Sequence, residues 1–306
     1  EWAGGNTFNS TASMINSAVG HFYFAQTNPD TFNGDVTLIV SGTGRIYLAN
    51  VAAGNSFNGN IFLNYITNTN IYIGNSSGTS TLANSKTISV IGAGASGTGN
   101  LYLEEFTQLG PTAQAIALNG IGTLSLGPNS TFNADIITSS PGLLIRQSTF
   151  NGISSFNKSG ISGNTSYGGN TYNGATTIIN SGSNYLRLAG TLGNTYNSTI
   201  TFSSSGSNSI EPSRVGNSNF NDNMFFNSTN TSTGIRFGNG GGLSTLAATK
   251  TVNVIGSGFS TGELRFRNFT QTGNTVQALT LTGTAYLYNY DANWGGDVTF
   301  IAPRNN

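Results

Sequence analysis

The stretch TFNGDVTLIVSGTGRIYL, residues 31–48, contains two short apolar segments, each preceded by a turn signal. Asn33-Gly34 is a turn dipeptide, because both residue types tolerate a positive φ. The segment 36–40 predicts a strand that places Val36 and Leu38 on one face and Thr37 on the other. Residues 46–48 predict a second strand after a Gly-rich turn. This unit is therefore predicted to build short strands joined by tight turns.

The beginning of this stretch recurs along the chain as a Thr/Ser-aromatic-Asn motif. Most neighbouring motifs are 24 or 25 residues apart, and this spacing predicts about thirteen repeats. The central aromatic residues of the motif are Phe8, Phe32, Phe57, Phe132, Phe150, Tyr172 and Tyr196, with Phe220 and Trp294 in variants. The positions between them are filled by Leu82, Phe106, Leu246 and Phe269.

A longer period of about 164 residues lies above the short one. Residues 81–92 match residues 245–256, and residues 4–9 match residues 168–173 with the same offset. We therefore expect a first block of seven rungs over residues 1–164 and a second, incomplete block over residues 165–306. Both blocks are expected to form one continuous solenoid, a piece of a longer array with further repeat blocks at both ends.

Units of this length predict an all-β fold, a parallel β-helix (β-solenoid) of about 24-residue rungs that stack at about 4.8 Å. The alternative is an antiparallel meander of β-hairpins. The motif spacing varies between 24 and 25 residues, and this variation favours the β-helix. In a hairpin, a one-residue shift of register would turn every side chain of the strand to the opposite face. The motif aromatics are expected to stack inside, and the following asparagines to form a hydrogen-bonded ladder at the corner. The predicted structural ladder comprises Phe8, Phe32, Phe57, Tyr172, Tyr196 and Phe220, followed by Asn9, Asn33, Asn58, Asn173, Asn197 and Asn221.

The composition excludes several classes of protein. Charged residues make up 7% of the chain, with a formal net charge of zero, against roughly 25% charged residues in an ordinary soluble domain. Such a chain has no overall basic field for phosphates, so we expect no nucleic-acid partner. No apolar run is long enough to predict a membrane span. The absence of Cys removes disulfides and a thiol nucleophile.

The residues that could carry chemistry are few. Residues 92–97 read GAGASG, a literal G-x-G-x-x-G, but a turn and another strand follow where a dinucleotide site needs a helix. Glu104 and Glu105 would point to opposite faces of a strand and are interpreted as solvated. His21 is the only His, and the six Asp are too scattered for a calcium repeat. The sequence therefore predicts a protein that is not an enzyme, with no catalytic residue, metal site or cofactor.

One outward strand position shows a regular pattern of residue types that the candidates above lack. The middle residue of the second predicted strand lies 15 positions after the motif aromatic in several units, and it is Tyr or Arg. Stacked rungs would align these residues into a stripe along one face. The stripe comprises Tyr23, Tyr47, Tyr72, Tyr102, Arg187, Arg236 and Arg265. It is either a ladder that stabilises an exposed sheet or a contact surface for glycans or a neighbouring fibre, because Tyr and Arg are frequent in recognition surfaces.

With repeats such as TFNGDVTL and GNTYNG in view, the chain resembles the giant repeat-rich surface proteins of Bacteroidota, which include the adhesins of gliding members. More loosely, it is similar to filamentous-haemagglutinin and autotransporter β-strand repeats. The resemblance implies an extracellular structural or adhesive fibre at the bacterial cell surface, with gliding motility as one setting. It implies glycans, the cell surface or neighbouring fibres as partners.

Two alternatives remain open. A carbohydrate-binding or depolymerising β-helix would resemble phage tail proteins or lyases, which group carboxylates and basic residues on one face. An ice-binding solenoid would use regularly spaced outward Thr and Asn side chains to template an ordered surface.

Overall fold

The computed structural model describes residues 4–49, 54–65, 69–74, 78–91, 98–229 and 234–303. The chain divides into two compact units, residues 1–152 (unit 1) and residues 153–306 (unit 2). Their described residues contain about 11 turns of a parallel β-solenoid, each of about 24 residues, and thirteen motif strands, the number of repeats that the motif spacing predicts. The described residues include no helix, and hence none of a length and apolarity that could cross a membrane.

Each complete turn has a motif strand, a middle strand after the first corner and a third strand; the strands are numbered β1 to β38 along the chain. The motif strands of unit 1 are β1 (Thr7–Phe8), β4 (Thr31–Phe32), β7 (Ser56–Phe57), β10 (Ser80–Leu82), β13 (Phe106–Gln108), β16 (Thr131–Phe132) and β19 (Thr149–Phe150). Its middle strands are β2 (Ala12–Asn16), β5 (Val36–Val40), β8 (Ile61–Tyr65), β11 (Ile88–Val90), β14 (Gln114–Ala117) and β17 (Ile136–Ser140). Its third strands are β3 (Phe22–Tyr23), β6 (Ile46–Leu48), β9 (Ile71–Ile73), β12 (Leu101–Leu103), β15 (Thr123–Leu126) and β18 (Gly142–Ile145).

Unit 2 repeats this order. Its motif strands are β22 (Thr171–Tyr172), β25 (Thr195–Tyr196), β28 (Ser218–Phe220), β31 (Ser244–Leu246), β34 (Phe269–Gln271) and β37 (Ala292–Asn293). Its middle strands are β20 (Ser154–Lys158), β23 (Thr176–Asn180), β26 (Ile200–Ser204), β29 (Met224–Ser228), β32 (Val252–Phe259), β35 (Gln277–Thr280) and β38 (Val298–Ile301). Its third strands are β21 (Asn164–Thr165), β24 (Leu186–Arg187), β27 (Ile210–Glu211), β30 (Ile235–Arg236), β33 (Glu263–Phe266) and β36 (Tyr286–Asn289).

Strand pairing in both units is parallel and joins equivalent strands of successive turns. In unit 1, Thr7 pairs with Thr31 and Phe8 with Phe32. In unit 2, Thr171 pairs with Thr195. Among the described residues, strands of one turn do not pair with each other, as a hairpin would require. The predicted parallel β-helix is therefore confirmed, and the antiparallel meander is wrong.

The motif aromatics lie inside the turns and stack along the axis of each unit. The rings of Phe8 and Phe32 are 4.8 Å apart and nearly parallel, at 3°. In unit 2 the rings of Tyr172 and Tyr196 are also 4.8 Å apart, and Phe220 continues the stack at 5.0 Å. The inner rings are fully buried, whereas Phe8, on the first turn, is half-buried. Phe57 stacks on Phe32 in the same way, at 5.1 Å.

The asparagines after these aromatics form hydrogen-bonded rows on the outer surface. The Nδ2 of each asparagine donates to the Oδ1 of the one in the preceding turn: Asn33 to Asn9 at 3.0 Å, Asn58 to Asn33 at 2.9 Å, Asn197 to Asn173 at 2.7 Å and Asn221 to Asn197 at 2.8 Å. All these side chains are exposed.

A second polar row lies inside, and sequence inspection missed it. The residue just before the motif Thr or Ser is polar in most turns, and it is buried in Asp30, Asn55, Asn170 and Asn194. The carboxylate of Asp30 accepts from the backbone N–H of Asn6 at 2.8 Å and of Ala25 at 3.0 Å. These side chains satisfy buried N–H groups at the corner, where the strand ladder is interrupted.

Two turns depart from the expected alignment of the aromatic ladder. Phe106 pairs with Ser80, and Gln108 pairs with Leu82 and Phe132, so Gln108 holds the ladder position. Phe269 and Gln271 repeat this arrangement in unit 2. Residues two apart in a strand share a face, so all four side chains point inward and are buried. Phe106 and Phe269, which the spacing places at the motif position, therefore lie two residues before the residue that holds the ladder position.

Residues 92–97, the G-x-G-x-x-G match, lie outside the described residues. In the second copy, Gly256 and Gly258 belong to the long middle strand β32 and have φ values of 68° and 86°. These values need glycine, and the pairing of β29 with β32 shifts register there.

Candidate functional site

The four stripe tyrosines of unit 1 form one continuous stack on the outer face of the third strands. Tyr23, Tyr47, Tyr72 and Tyr102 are in register. Their successive ring centroids are 4.9, 4.6 and 4.3 Å apart, with interplanar angles of 12°, 8° and 5°. Each inner ring is therefore covered on both faces by its neighbours.

The tyrosine stack is less exposed than an outward stripe implies. Tyr47 is only 8% exposed, and Tyr23, Tyr72 and Tyr102 are half-buried. The expectation that these side chains are simply outward is therefore corrected. What they present to solvent is ring edges and hydroxyl groups, because stacking covers the ring faces.

Residues two positions earlier hold the tyrosine hydroxyls. Arg45 Nη1 donates to the hydroxyl of Tyr47 at 3.0 Å, and Asn70 Nδ2 donates to that of Tyr72 at 3.1 Å. Asn100 Nδ2 does the same for Tyr102 at 3.2 Å. Burial raises the pKa of Tyr72 above its ordinary value. The two-residue period of a strand was the signal that could have revealed these partners.

His21 lies beside the first tyrosines of the stack. Its ring meets those of Tyr23 and Tyr47 edge-on, at 5.9 and 5.8 Å. Its Nδ1 accepts a hydrogen bond from the backbone N–H of Arg45 at 3.1 Å. His21 is exposed and is part of this surface.

The tyrosine stack ends after four turns. Tyr102 pairs with Ser125, and Ser125 pairs with Leu144. The aromatic surface of unit 1 is therefore a patch of limited length.

In unit 2 the equivalent row consists of ion pairs. Arg187 pairs in register with Glu211, a residue that sequence inspection missed although it lies 15 positions after Tyr196. Arg187 Nε is 3.0 Å from Glu211 Oε2. Arg236 and Arg265, also register partners, both contact Glu263 Oε1, at 2.6 and 2.9 Å. The three stripe arginines are thus held by carboxylates.

Glu211 is the centre of a local network. It is 2% exposed, and besides Arg187 it accepts from Arg214 Nη1 at 3.0 Å and Asn239 Nδ2 at 2.9 Å. A buried carboxylate needs such partners, because an isolated charge inside a protein is costly.

The prediction that Glu104 is solvated is wrong. Strand β12 ends at Leu103, so Glu104 and Glu105 occupy a corner, where Glu105 has a φ of 47°. Glu104 is buried and forms an ion pair with Arg146. Burial raises the pKa of Glu104, and the nearby Arg146 guanidinium acts in the opposite direction. Glu105 accepts a hydrogen bond from Asn129.

Within the described part of the chain, His, Asp and Glu residues form no group of three that could hold a metal ion. The fold defines the protein as an all-β parallel β-solenoid. Comparison with models of known families, with curated proteins and with solved structures found no match.

Proposed function

We propose that the chain is a non-enzymatic segment of an extracellular structural or adhesive fibre that binds weakly through the outer faces of its third strands. The observation that carries this proposal is the in-register stack of Tyr23, Tyr47, Tyr72 and Tyr102. A stack of this kind presents the same chemical groups once per turn, as repeated contact with an extended surface requires.

The turn-by-turn construction suits a stalk. Among the described residues, strand pairing joins each turn only to the turns on either side of it, so further turns extend the solenoid without new types of pairing. At the first turn of unit 1, Phe8, Met14, Phe22 and Phe24 line an open apolar groove of about 490 Å³. Phe8 and Met14 are register partners of Phe32 and Leu38, which are fully buried in the next turn.

The exposed chemistry favours sugars as ligands in unit 1. Tyrosine hydroxyls and the neighbouring Asn70 and Asn100 amides are hydrogen-bonding groups of the kind that sugar hydroxyls meet. Individual contacts of this type are weak, but many copies on one fibre bind together with much higher avidity. Glycans, the cell surface and neighbouring fibres are therefore the proposed partners.

The non-enzymatic proposal is supported by how the buried carboxylates are used. Glu104, Glu211 and Glu263 each face an arginine. Carboxylates engaged in this way stabilise the turns and are poorly placed to act as acid and base on a substrate. We place this fibre at the cell surface of a bacterium of the Bacteroidota, a group that includes gliding members, because of the style of the repeats.

A test compares chains that carry one and several copies of the repeat block, measuring retention on bacterial cells and on immobilised polysaccharide under flow. We expect retention to rise far more than in proportion to copy number. Equal retention per block at all copy numbers, or release of reducing sugar ends from the polysaccharide, would contradict the proposal.

A second candidate, ice binding, is favoured by one specific observation. The outward residue of the motif strands is Thr in most turns of unit 2, with Thr171, Thr195, Thr245 and Thr270 in one register row. The exposed asparagine row runs parallel to it two residues on. Hydroxyl and amide groups at a spacing of about 4.8 Å form a rigid, uncharged array. Thermal hysteresis of the purified chain tests this candidate, and Thr195→Tyr should abolish any hysteresis.

A further inference from the structure

Charge is segregated between the two units although the whole chain is neutral. Residues 1–152 contain three Lys/Arg and six Asp/Glu, a formal charge of −3. Residues 153–306 contain eight Lys/Arg and five Asp/Glu, a formal charge of +3. The neutral chain therefore contains one basic unit, and the two units differ in their expected attraction for anionic partners.

Most of the basic residues of unit 2 lie around one face. We call the arginine face the set Arg187, Arg214, Arg236, Arg265 and Arg267, together with the adjoining Tyr185, Tyr288 and Tyr290. Its arginines contact three carboxylates, those of Glu211, Glu263 and Asp291. Five cations against three anions leave two positive charges unbalanced.

The arrangement turns guanidinium groups outward. Glu211 and Glu263 are 2% and 9% exposed, whereas the side chains of Arg187 and Arg236 are 25% and 23% exposed. Arg187 and Arg236 each use the Nε–H for the buried carboxylate. Their terminal Nη groups have no hydrogen-bond partner in the described part of the chain. A guanidinium presents a planar fork of donors, which matches carboxylate and sulfate oxygens.

Tyrosine rings fix the positions of three arginines. The guanidinium carbon of Arg187 lies 3.7 Å from the ring centroid of Tyr185. Arg265 and Arg267 lie 5.4 and 5.5 Å from the centroids of Tyr288 and Tyr290. Such contacts reduce the freedom that each side chain loses on binding a ligand. They also place aromatic surface next to each cation.

We propose that the arginine face binds an acidic polysaccharide, with carboxylate or sulfate groups on the arginines and sugar rings against the tyrosines. This proposal rests on the proposed adhesive function and names its ligand class for unit 2. The excess positive charge of the arginine face favours an anionic ligand. Because its arginines recur along successive turns, a polymer can contact several of them at once. The tyrosine rings beside the guanidinium groups favour a sugar over a purely ionic partner.

The experiment measures binding of the full chain to polygalacturonate, chondroitin sulfate and neutral dextran at low and at physiological salt. We expect the acidic polymers to bind in the micromolar range or tighter at low salt and to weaken as salt is added. Comparison of the two acidic polymers distinguishes carboxylate from sulfate as the bound group. Equal binding to DNA or to anionic lipid vesicles would overturn the assignment to polysaccharide.

The double variant Arg214→Gln/Arg267→Gln tests the face while sparing its buried carboxylates. Glu211 keeps Arg187 and Asn239, and Glu263 keeps Arg236 and Arg265. We expect affinity for the acidic polymers to fall at least tenfold, the scale of a lost charge-assisted hydrogen bond. The control Lys250→Gln removes a charge of unit 2 that pairs with Asp222 at the corner between the motif and middle strands, and binding should change less than twofold. Urea unfolding verifies that each variant is folded.

The outcomes separate this inference from the adhesive proposal. Unchanged affinity in the double variant, or an equal loss in Lys250→Gln, would overturn the arginine face as the site. If multi-block chains adhere to cells but the chain binds no acidic polymer, this inference fails and the adhesive proposal stands. If multi-block chains bind no cell or polysaccharide at all, both fail.

Discussion

Lys158 and Asn180 are register partners on neighbouring middle strands, and both donate a hydrogen bond to the backbone oxygen of Asn184. The distances are 2.8 Å from Lys158 Nζ and 3.0 Å from Asn180 Nδ2. Lys158 also donates to the oxygen of Gly160 at 2.8 Å, and its side chain is fully buried. A lysine thus occupies an internal corner position where the next turn has a neutral amide.

The pH dependence of stability should report this lysine. Burial lowers the pKa of Lys158 from 10.5 to about 8. Between these values the unfolded chain binds more protons than the folded one, so the free energy of unfolding rises with pH across this window and is lowest below it. Urea unfolding of wild type and Lys158→Asn, measured from pH 7 to 11, isolates the effect. The variant should lose this rise, because asparagine is neutral and matches Asn180. Parallel pH curves for the two proteins would rule out a lowered pKa.

Truncation of an inner ladder ring should damage the fold locally. Phe32 is fully buried between Phe8 and Phe57, so Phe32→Ala should cost about 3–5 kcal/mol. Phe8→Ala, on the half-buried first ring, is the control and should cost less than half as much. Hydrogen exchange should show loss of protection in the turns next to Phe32 and little change in distant turns of unit 1. Uniform loss across all turns is the result that contradicts the nearest-neighbour picture.

Two asparagines three residues apart should differ sharply in their contribution to stability. Asn194 is buried, and its Oδ1 accepts from the backbone N–H of Asn170 at 3.0 Å. Asn194→Ala leaves that buried donor unpaired and should cost about 1–3 kcal/mol. Asn197 belongs to the exposed row, so Asn197→Ala should cost less than about 1 kcal/mol, because water replaces the lost partner. Equal costs in urea unfolding would show that burial does not decide the difference.

The exposure of the asparagine row also lowers the expected contribution of Asn33 to the free energy of unfolding. A buried corner asparagine would have made Asn33→Ala as costly as Asn194→Ala, but Asn33 is exposed. The spacing of the motif predicts that these side chains align along the axis. It does not predict whether they face the interior or the solvent at the corner. That choice depends on the path of the backbone between strands.

The sequence is most informative where a residue's surroundings repeat with the turn. Phe32 and Val36 recur in type and place, so their burial follows from period and alternation. Phe106 and Gln108 lie on the same face of one strand, and alternation alone does not say which one enters the ladder. Glu104 depends on Arg146, 42 residues away, and no local pattern links them. Features that rest on a single partner in another turn were accordingly missed.

Substitutions in the tyrosine stack should affect the free energy of unfolding and adhesion to different extents. Tyr47 is buried between Tyr23 and Tyr72, so Tyr47→Ser removes two stacking contacts and should cost about 3 kcal/mol or more.

Replacement of Tyr47, Tyr72 and Tyr102 by Phe keeps the rings and removes the hydroxyls. The free energy of unfolding should then fall by roughly 1 kcal/mol per lost hydrogen bond or less. Adhesion of a multi-block chain should fall much further than binding of one block, because avidity multiplies each loss. The control is Tyr196→Phe, which removes a hydroxyl from a fully buried ring and should leave adhesion intact. Unchanged adhesion in the triple variant would remove the tyrosine hydroxyls from the contact surface.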